Sequence, residues 1–375
     1  MKRIVLCILL SAGLPCHGAV PAAIRADTLS PSLGRDSLSA VFWNLENFFD
    51  WRNDSTSVSD AEFSSRGARH WTRKRFEAKC NAIAKTMLWT ASETGRLPDV
   101  VGFAEVENSF VLKRLLRGTL LRKLDYKFVH FDSPDRRGID VALLYRESVL
   151  ELIDAKPCHL YDTVKAASSG VDSCRIMPTR DILLCRFRLK DHPGGNGEDA
   201  AGGEFAVFVN HHPSKYGGAA VSDARRRAAV GRLRFLADSL SAAGTGRILA
   251  FGDFNDTPDN PIFSSLEPAL MPLYSNCVRR GEGTIRFDGR WELIDLAFAS
   301  PGQVVQLHHS AAPPNPEPVP SPERWAGPMR ILRPPFLRTR DTVHGGWKPL
   351  RTYSGPRYLG GVSDHCPILV HLAPP

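Results

Sequence analysis

The sequence predicts a mixed α/β protein, and three observations predict it. Short apolar runs suited to buried strands recur from residue 38 to residue 372. Segments with apolar residues at helical spacing lie between several of them. The chain has 375 residues, 43% of them hydrophobic and 23% charged, enough for a substantial core in one large α/β domain or two smaller ones. No internal repeat is evident.

Taken in order, LSAVFWNL (38–45) reads as a first buried strand. Residues 71–93 set Phe76, Cys80, Ile83 and Met87 at helical spacing, a stripe that faces a core. DVVGFAEV (99–106) is a strand, and a short helix follows near 109–117. Further strands are predicted at 126–131, 139–145 and 182–189. The glycine-rich HPGGNGEDAAGGE separates the last of these from the strand EFAVFVN (204–210). A long helix over 222–242 precedes RILAFGDFN (247–255), then ELIDLAFAS (292–300), and HCPILVHL (365–372) closes the chain as a strand. Ten prolines lie from Pro313 to Pro349 with hardly any periodic pattern, so the stretch near 301–350 reads as a Pro-rich surface insertion.

At the N-terminus, Lys2 and Arg3 precede the apolar IVLCILLSAGL, followed by the small residues Gly18 and Ala19. That is the layout of a secretory signal peptide over residues 1–19, too short for a membrane anchor. Gly13-Leu14-Pro15 makes a poor lipobox before Cys16. No later apolar stretch is long enough to span a membrane, so the expected location is exported, periplasmic or extracellular. Without Lys2 and Arg3 the formal charge falls from +8 to +6, a modest excess compatible with a polyanionic substrate. Of the eight cysteines six remain after the leader. Cys158 and Cys174 flank a polar, loop-like segment and an oxidising compartment would allow them to pair, a bridge of about 3 kcal/mol by chain entropy. Cys80, Cys185 and Cys366 lie in apolar patterns and read as inert core thiols. No Cys/His spacing suggests a zinc site.

The polar residues carry the functional signal. Apolar runs end in Asn44, in Glu105, in Asn210-His211-His212, and in Asp253 with Asn255, and the last strand opens at Asp364-His365. Asp295 sits inside an apolar run, where an unpaired carboxylate would be costly. Taken singly, each of these fits a cap or a turn. Together, carboxylates, amides and imidazoles at successive strand ends converge in one cleft if the strands share a sheet.

The series Asn44, AEVEN (104–108), RRGIDVALLY (136–145), VNHHPS (209–214), GDFND (252–256), LIDLAF (293–298) and SDHCP (363–367) resembles the endonuclease/exonuclease/phosphatase superfamily. The aromatic-rich GTIRFDGRWELIDLAF further resembles exported bacterial members. The resemblance runs in order over residues 38–372 and implies a single catalytic domain at 36–373. It implies a four-layer α/β sandwich, two mixed sheets face to face with helices outside. It also implies roles. Glu105 would be the main ligand of Mg²⁺ or Mn²⁺, with Asn44 beside it and Asp364 completing the metal region; all-oxygen ligation suits those ions. His365 and Asp295 match the family's His–Asp pair, with His365 as general base or phosphate-binding cation. Asp253 and Asn255 would position the attacking water, Asp253 being the competing base. His211 matches the position that aids the leaving group, with Asn210 alongside and His212 as its rival.

Arg180 and Lys215 are candidate phosphate contacts. Arg73, Lys74 and Arg75 open a helix against the macrodipole, which hints at a nearby anion. If the Pro-rich insertion reaches substrate, Arg330, Arg333, Arg338 and Arg340 would bind a polyanion. The expectation is an exported, monomeric Mg²⁺-dependent hydrolase acting on a phosphoester, nucleic acid among the candidates, most nearly a nuclease-like phosphodiesterase. A phosphomonoesterase or lipid phosphodiesterase is the alternative, although no apolar hairpin of the membrane-active kind is evident. A catalytically dead binding protein is the alternative from another class, against which the intact residue set argues.

Overall fold

Strand β1 (Leu38–Phe48) shows how the sequence builds layers. Successive side chains of a strand point to opposite faces. Leu38, Ala40 and Phe42 enter one apolar core, while Val41, Trp43 and Leu45 enter another. A strand covered on both faces has no polar side, which is why this run is apolar without alternation. The computed structural model describes residues 38–53, 58–164, 173–190, 204–215, 219–301, 303 and 328–372.

After β1 come α1 (Val58–Glu62) and α2 (Arg73–Thr94). Thr72 caps α2 by accepting from the Arg75 amide, and Gly95 ends it at φ 75°. Next are β2 (Val100–Val106) and α3 (Ser109–Gly118), whose cap Asn108 accepts from the amides of Phe110 and Val111. The chain continues through β3 (Tyr126–His130), β4 (Asp140–Arg146), β5 (Leu150–Cys158), β6 (Tyr161–Val164), β7 (Ser173–Ile176), β8 (Ile182–Leu189) and β9 (Glu204–His211). Then follow α4 (Ala219–Ala242), β10 (Ile248–Asp253), β11 (Met271–Pro272), α5 (Ser275–Arg279), β12 (Ile285–Phe287), β13 (Arg290–Glu292) and β14 (Asp295–Ala299). The chain finishes with β15 (Met329–Ile331), β16 (Arg338–Arg340), β17 (Trp347–Pro349), β18 (Tyr353–Ser354), β19 (Arg357–Tyr358) and β20 (Ile368–Leu372).

Two six-stranded mixed sheets result, ordered β15-β20-β1-β2-β4-β3 and β11-β14-β10-β9-β8-β5. They pack face to face. A Cβ on Gly102 in β2 would lie 2.2 Å from the ring of Phe251 in β10, so the close approach of the sheets excludes any larger residue there. Helices α2 and α3 cover the first sheet through Phe76, Ile83, Met87, Val111 and Leu115. Helix α4 adds Ala229, Val230 and Leu233 to the core of the second. This is the four-layer sandwich expected. No helix among the described residues is long and apolar enough to cross a membrane.

The structure corrects several expectations. The segment between Cys158 and Cys174 is not merely a loop, because β6 and β7 form a hairpin in it. Cys158 is buried, Cys174 is exposed, and both are free thiols, so no bridge joins them. Residues 328–349 are no simple surface insertion: β15 adds an edge strand beside β20, and Met329, Ile331, Leu332 and Leu337 are buried. Strands of two or three residues carry no readable period, which hid them. Arg73 pairs with Glu77, while Arg75 donates to two backbone carbonyls and stacks on Tyr358, so neighbours within the chain account for these two cations. Cys80, Cys185 and Cys366 are buried as expected. The leader, most of the glycine-rich loop and most of 302–327 lie outside the described residues.

Candidate active site

The site begins at two defects in the first sheet. Strands β1 and β2 run parallel, so their C-terminal ends lie together. Their register slips between Asn44 and Phe48, where Glu46 and Asn47 have φ 47° and 55°. The β2–β4 ladder slips around Glu105, at φ 60°. Non-glycine residues seldom adopt this left-handed region, and a bulge re-aims the side chain it carries. Here it turns Glu105 so that its Oε2 accepts from the Asn47 amide at 2.7 Å, with the Arg137 guanidinium 3.5 Å away. Asn44 Oδ1 accepts from the Glu46 amide at 2.9 Å, and its Nδ2 donates across to Asp253 Oδ2 at 3.0 Å. That bond ties the two sheets together.

In the second sheet, β10 pairs parallel with β9 and antiparallel with β14, which sets Asp253 opposite both His211 and Asp295. A Cβ on Gly252 would lie 2.2 Å from the Asn210 carbonyl oxygen, so the glycine of GDFND permits this close pairing. Asn255, at φ 52°, donates its amide to Asp253 Oδ1 at 2.9 Å and its Nδ2 to the His212 carbonyl at 3.0 Å. His365 Nδ1 lies 2.8 Å from Asp295 Oδ2. Its backbone is held on three sides, by Ser363 Oγ, by the Trp43 indole and by a bridge to Ile285. Its Nε2 is 3.9 Å from both Asp253 Oδ2 and Asp364 Oδ1, while His211 Nε2 is 3.7 Å from the same Asp253 oxygen. Asp253 therefore sits between two imidazoles.

Their surroundings push those imidazoles in opposite directions. Burial disfavours the His365 cation, yet the facing Asp295, Asp253 and Asp364 outweigh it and raise its pKa well above the usual value. Burial depresses His211 well below that value, and Arg180 and Arg137 add to the effect. Burial raises Asp253 to about 7, Asp295 adding repulsion against the opposing pull of His365.

Most of the expected residues converge, and a few do not. His212 packs its ring on Phe254 at 4.6 Å and is depressed to about 3 by burial and then Arg180, so His211, not His212, faces Asp253. Asn210 is fully buried and donates to the carbonyls of Phe208 and Phe251, which removes it as a ready substrate contact. Arg180 is likewise buried, its terminal nitrogens 3.2 Å from Asp135 and 2.6 Å from the His212 carbonyl; it acts on the site through His211. Lys215 is exposed beside Asp256 at 3.7 Å.

Sequence reasoning missed Arg351, which bridges Glu46 and Asp364, and the buried Lys79, which donates to the Glu46 carbonyl and to Thr352. Arg351 lies in an aperiodic stretch, and Lys79 is hidden beside the helix stripe. Arg137 lay within a quoted motif without being singled out.

On the first-sheet side three residues have the chemistry that would hold a divalent cation. Glu105, Asp364 and the Asn44 amide oxygen are hard oxygen donors. Burial, then the Asp364 charge, raises Glu46 to about 7 against the opposing pull of Arg351 and Lys79. Asp253, Asp295 and His365 also cluster closely enough to hold an ion, but the His365 cation already compensates those carboxylates. In a third cluster, of His130, Asp132 and Asp140, both Asp140 oxygens are occupied by His130 and Ser133.

The sequence model described as the Endonuclease/Exonuclease/phosphatase family matches residues 39–374. No curated protein sequence matches the chain. Among solved structures, an endonuclease/exonuclease/phosphatase family protein from Bacteroides thetaiotaomicron is 17% identical, with a TM-score of 0.50 over 90% of this chain and 97% of that one. The human Nocturnin catalytic domain is 14% identical, with a TM-score of 0.48 over 90% and 95%. A mannosyl-6-phosphatase from Bacteroides thetaiotaomicron is 15% identical, with a TM-score of 0.48 over 89% and 99%.

Proposed function

The chain belongs to the endonuclease/exonuclease/phosphatase family, hydrolases of phosphoester bonds, and from that premise we propose an exported, Mg²⁺- or Mn²⁺-dependent phosphodiesterase of the nuclease type, acting as a monomer. The observation that carries the mechanism is Asp253 set 3.9 Å from His365, whose pKa its carboxylate neighbours raise, and 3.7 Å from His211, whose pKa burial lowers. A phosphodiester anion repels hydroxide, so the site must neutralise charge, activate water and assist the leaving alkoxide.

His365 is held protonated by Asp295, which makes it a poor base and a good donor. Its Nε2–H binds a non-bridging phosphate oxygen, while Nδ1 stays fixed on Asp295. Asp253, with its pKa near 7, takes the proton from the attacking water. The Asn44 and Asn255 bonds orient its two oxygens. His211, being neutral, offers a hydrogen bond toward the leaving oxygen. When bound at Glu105, Asp364 and Asn44, the divalent cation supplies charge neutralisation at the phosphate and the leaving alkoxide.

The test is a metal-supplemented panel of plasmid DNA, RNA, bis-p-nitrophenyl phosphate, a phosphomonoester and sphingomyelin, with EDTA controls and Glu105→Gln. Diester cleavage that is lost in EDTA and falls by orders of magnitude in Glu105→Gln supports the reading. Turnover of the monoester alone, or of sphingomyelin alone, replaces it with the corresponding alternative. Full activity in excess EDTA contradicts it. The leader-like N-terminus supports export, and recovery of the protein only inside the cell with its N-terminus at residue 1 would contradict it.

A further inference from the structure

One hairpin stands beside His365 and a second lies against the first, and neither takes part in the mechanism above. Strand β12 bridges to His365 through Ile285, and its hairpin with β13 turns at Asp288 and Gly289, at φ 46° and 75°, the left-handed pair a tight hairpin turn requires. The β16–β17 hairpin lies against it. Arg286 locks the two together, donating to the Trp347 carbonyl at 2.7 Å and facing Asp341 at 3.6 Å. What they present outward is unusual for a surface. Phe287 is 70% exposed and Trp347 41% exposed, and Arg340 stacks on the Trp347 ring at 4.2 Å. Arg290 and Arg340 are both exposed, and neither has a carboxylate partner among the described residues.

We propose that this pair of hairpins is a binding platform for single-stranded nucleic acid, with Phe287 stacking on a base and Arg290 and Arg340 holding flanking phosphates. The inference rests on the phosphodiesterase reading and names its substrate class. Phe287 lies two residues from Ile285, about 7 Å along the strand that bridges to His365. Exposed aromatics interleaved with unpaired arginines are the means by which proteins hold single strands, the rings taking bases and the cations the backbone. The sequence offered no membrane-active hairpin, yet Phe287 and the 78%-exposed Val343 make these tips partly apolar. Next to Phe287, however, the Asp288 carboxylate is 81% exposed and 3.2 Å from His344 Nε2, and its desolvation opposes insertion into a bilayer.

The experiment measures binding in EDTA, without turnover, by fluorescence anisotropy. The probes are a labelled twelve-residue oligothymidylate, an abasic oligomer of equal length and charge, and phosphatidylglycerol vesicles. Wild-type protein should bind the oligothymidylate about tenfold more tightly than the abasic oligomer. Phe287→Ala should erase that preference and Phe287→Tyr should keep it, with thermal melts unchanged. Arg290→Ala and Arg340→Ala should each lower the salt slope by about one. Equal binding of the two oligomers by wild-type protein, or Phe287→Ala binding like wild type, overturns the proposal. So does vesicle binding that depends on Phe287 while oligonucleotide binding does not. Loss of bis-p-nitrophenyl phosphate hydrolysis would mark failure of the phosphodiesterase reading instead, since that probe carries no base.

Discussion

His365 and His211 approach the same Asp253 oxygen, at 3.9 and 3.7 Å, and both are buried, yet their surroundings drive them in opposite directions. Burial alone would depress both. At the mouth of β20, Asp295 meets His365 Nδ1 at 2.8 Å and, with Asp253 and Asp364, reverses that effect. At the end of β9, His211 Nδ1 is buried with no hydrogen-bond partner among the described residues, and the neighbouring Arg180 and Arg137 reinforce the loss of its proton. The partner, not the depth, decides the protonation state, and a single carboxylate can then serve a charged donor on one side and a neutral one on the other.

The largest effect expected from breaking this contrast is at Asp295. Asp295→Asn keeps the shape and removes the charge, so diester turnover should fall by about 10²–10⁴-fold. His365→Ala should be at least as damaging, and the double variant far less than multiplicative because the two act as one unit. Steady-state kinetics on bis-p-nitrophenyl phosphate checks both, and fully multiplicative losses would separate the pair.

A smaller effect is expected on the other side. His211→Gln should lower kcat by about 10²–10³-fold, the range for one donor to developing charge, whereas His212→Gln, whose ring lies on Phe254, should cost less than about tenfold. A larger loss at His212 would reassign the role. Milder still is the pH dependence. Because Asp253 must lose its proton to act, and its pKa is raised to about 7, activity should climb as pH rises toward 7, by about tenfold per unit below it, and level off above. The fall at the alkaline end comes when His365 loses its proton, well above the usual histidine value. A profile already flat from pH 5 would place the base elsewhere.

How much of this was legible in the sequence depends on periodicity. Long elements such as α2 and strand β8, whose bounds match the reading at 182–189, announced themselves through apolar runs. Asn44, Glu105, Asp253, Asp295 and His365 were singled out because polar residues at the ends of apolar runs stand out, and the structure links Asn44 to Asp253 and His365 to Asp295. The platform hairpins and β15 were not found, because strands of three residues leave no pattern. Nor could sequence reveal that Glu105 occupies a bulge at φ 60°, or that Arg351 crosses 305 residues of chain to reach Glu46. Arg180 looked like a phosphate ligand because a lone arginine gives no sign of the buried Asp135 it meets.

The central claim, that partner chemistry sets the two histidines apart, is tested most directly by NMR titration of the imidazole ε1 protons of His365 and His211, assigned by single substitution. In wild-type protein His365 should remain charged through the neutral range and titrate only well above its ordinary value, while His211 stays neutral until strongly acid pH. In Asp295→Asn the His365 titration should move to lower pH, and His211 should change little. Two histidines titrating together near 6.5, or a His365 curve unmoved by Asp295→Asn, would contradict the account.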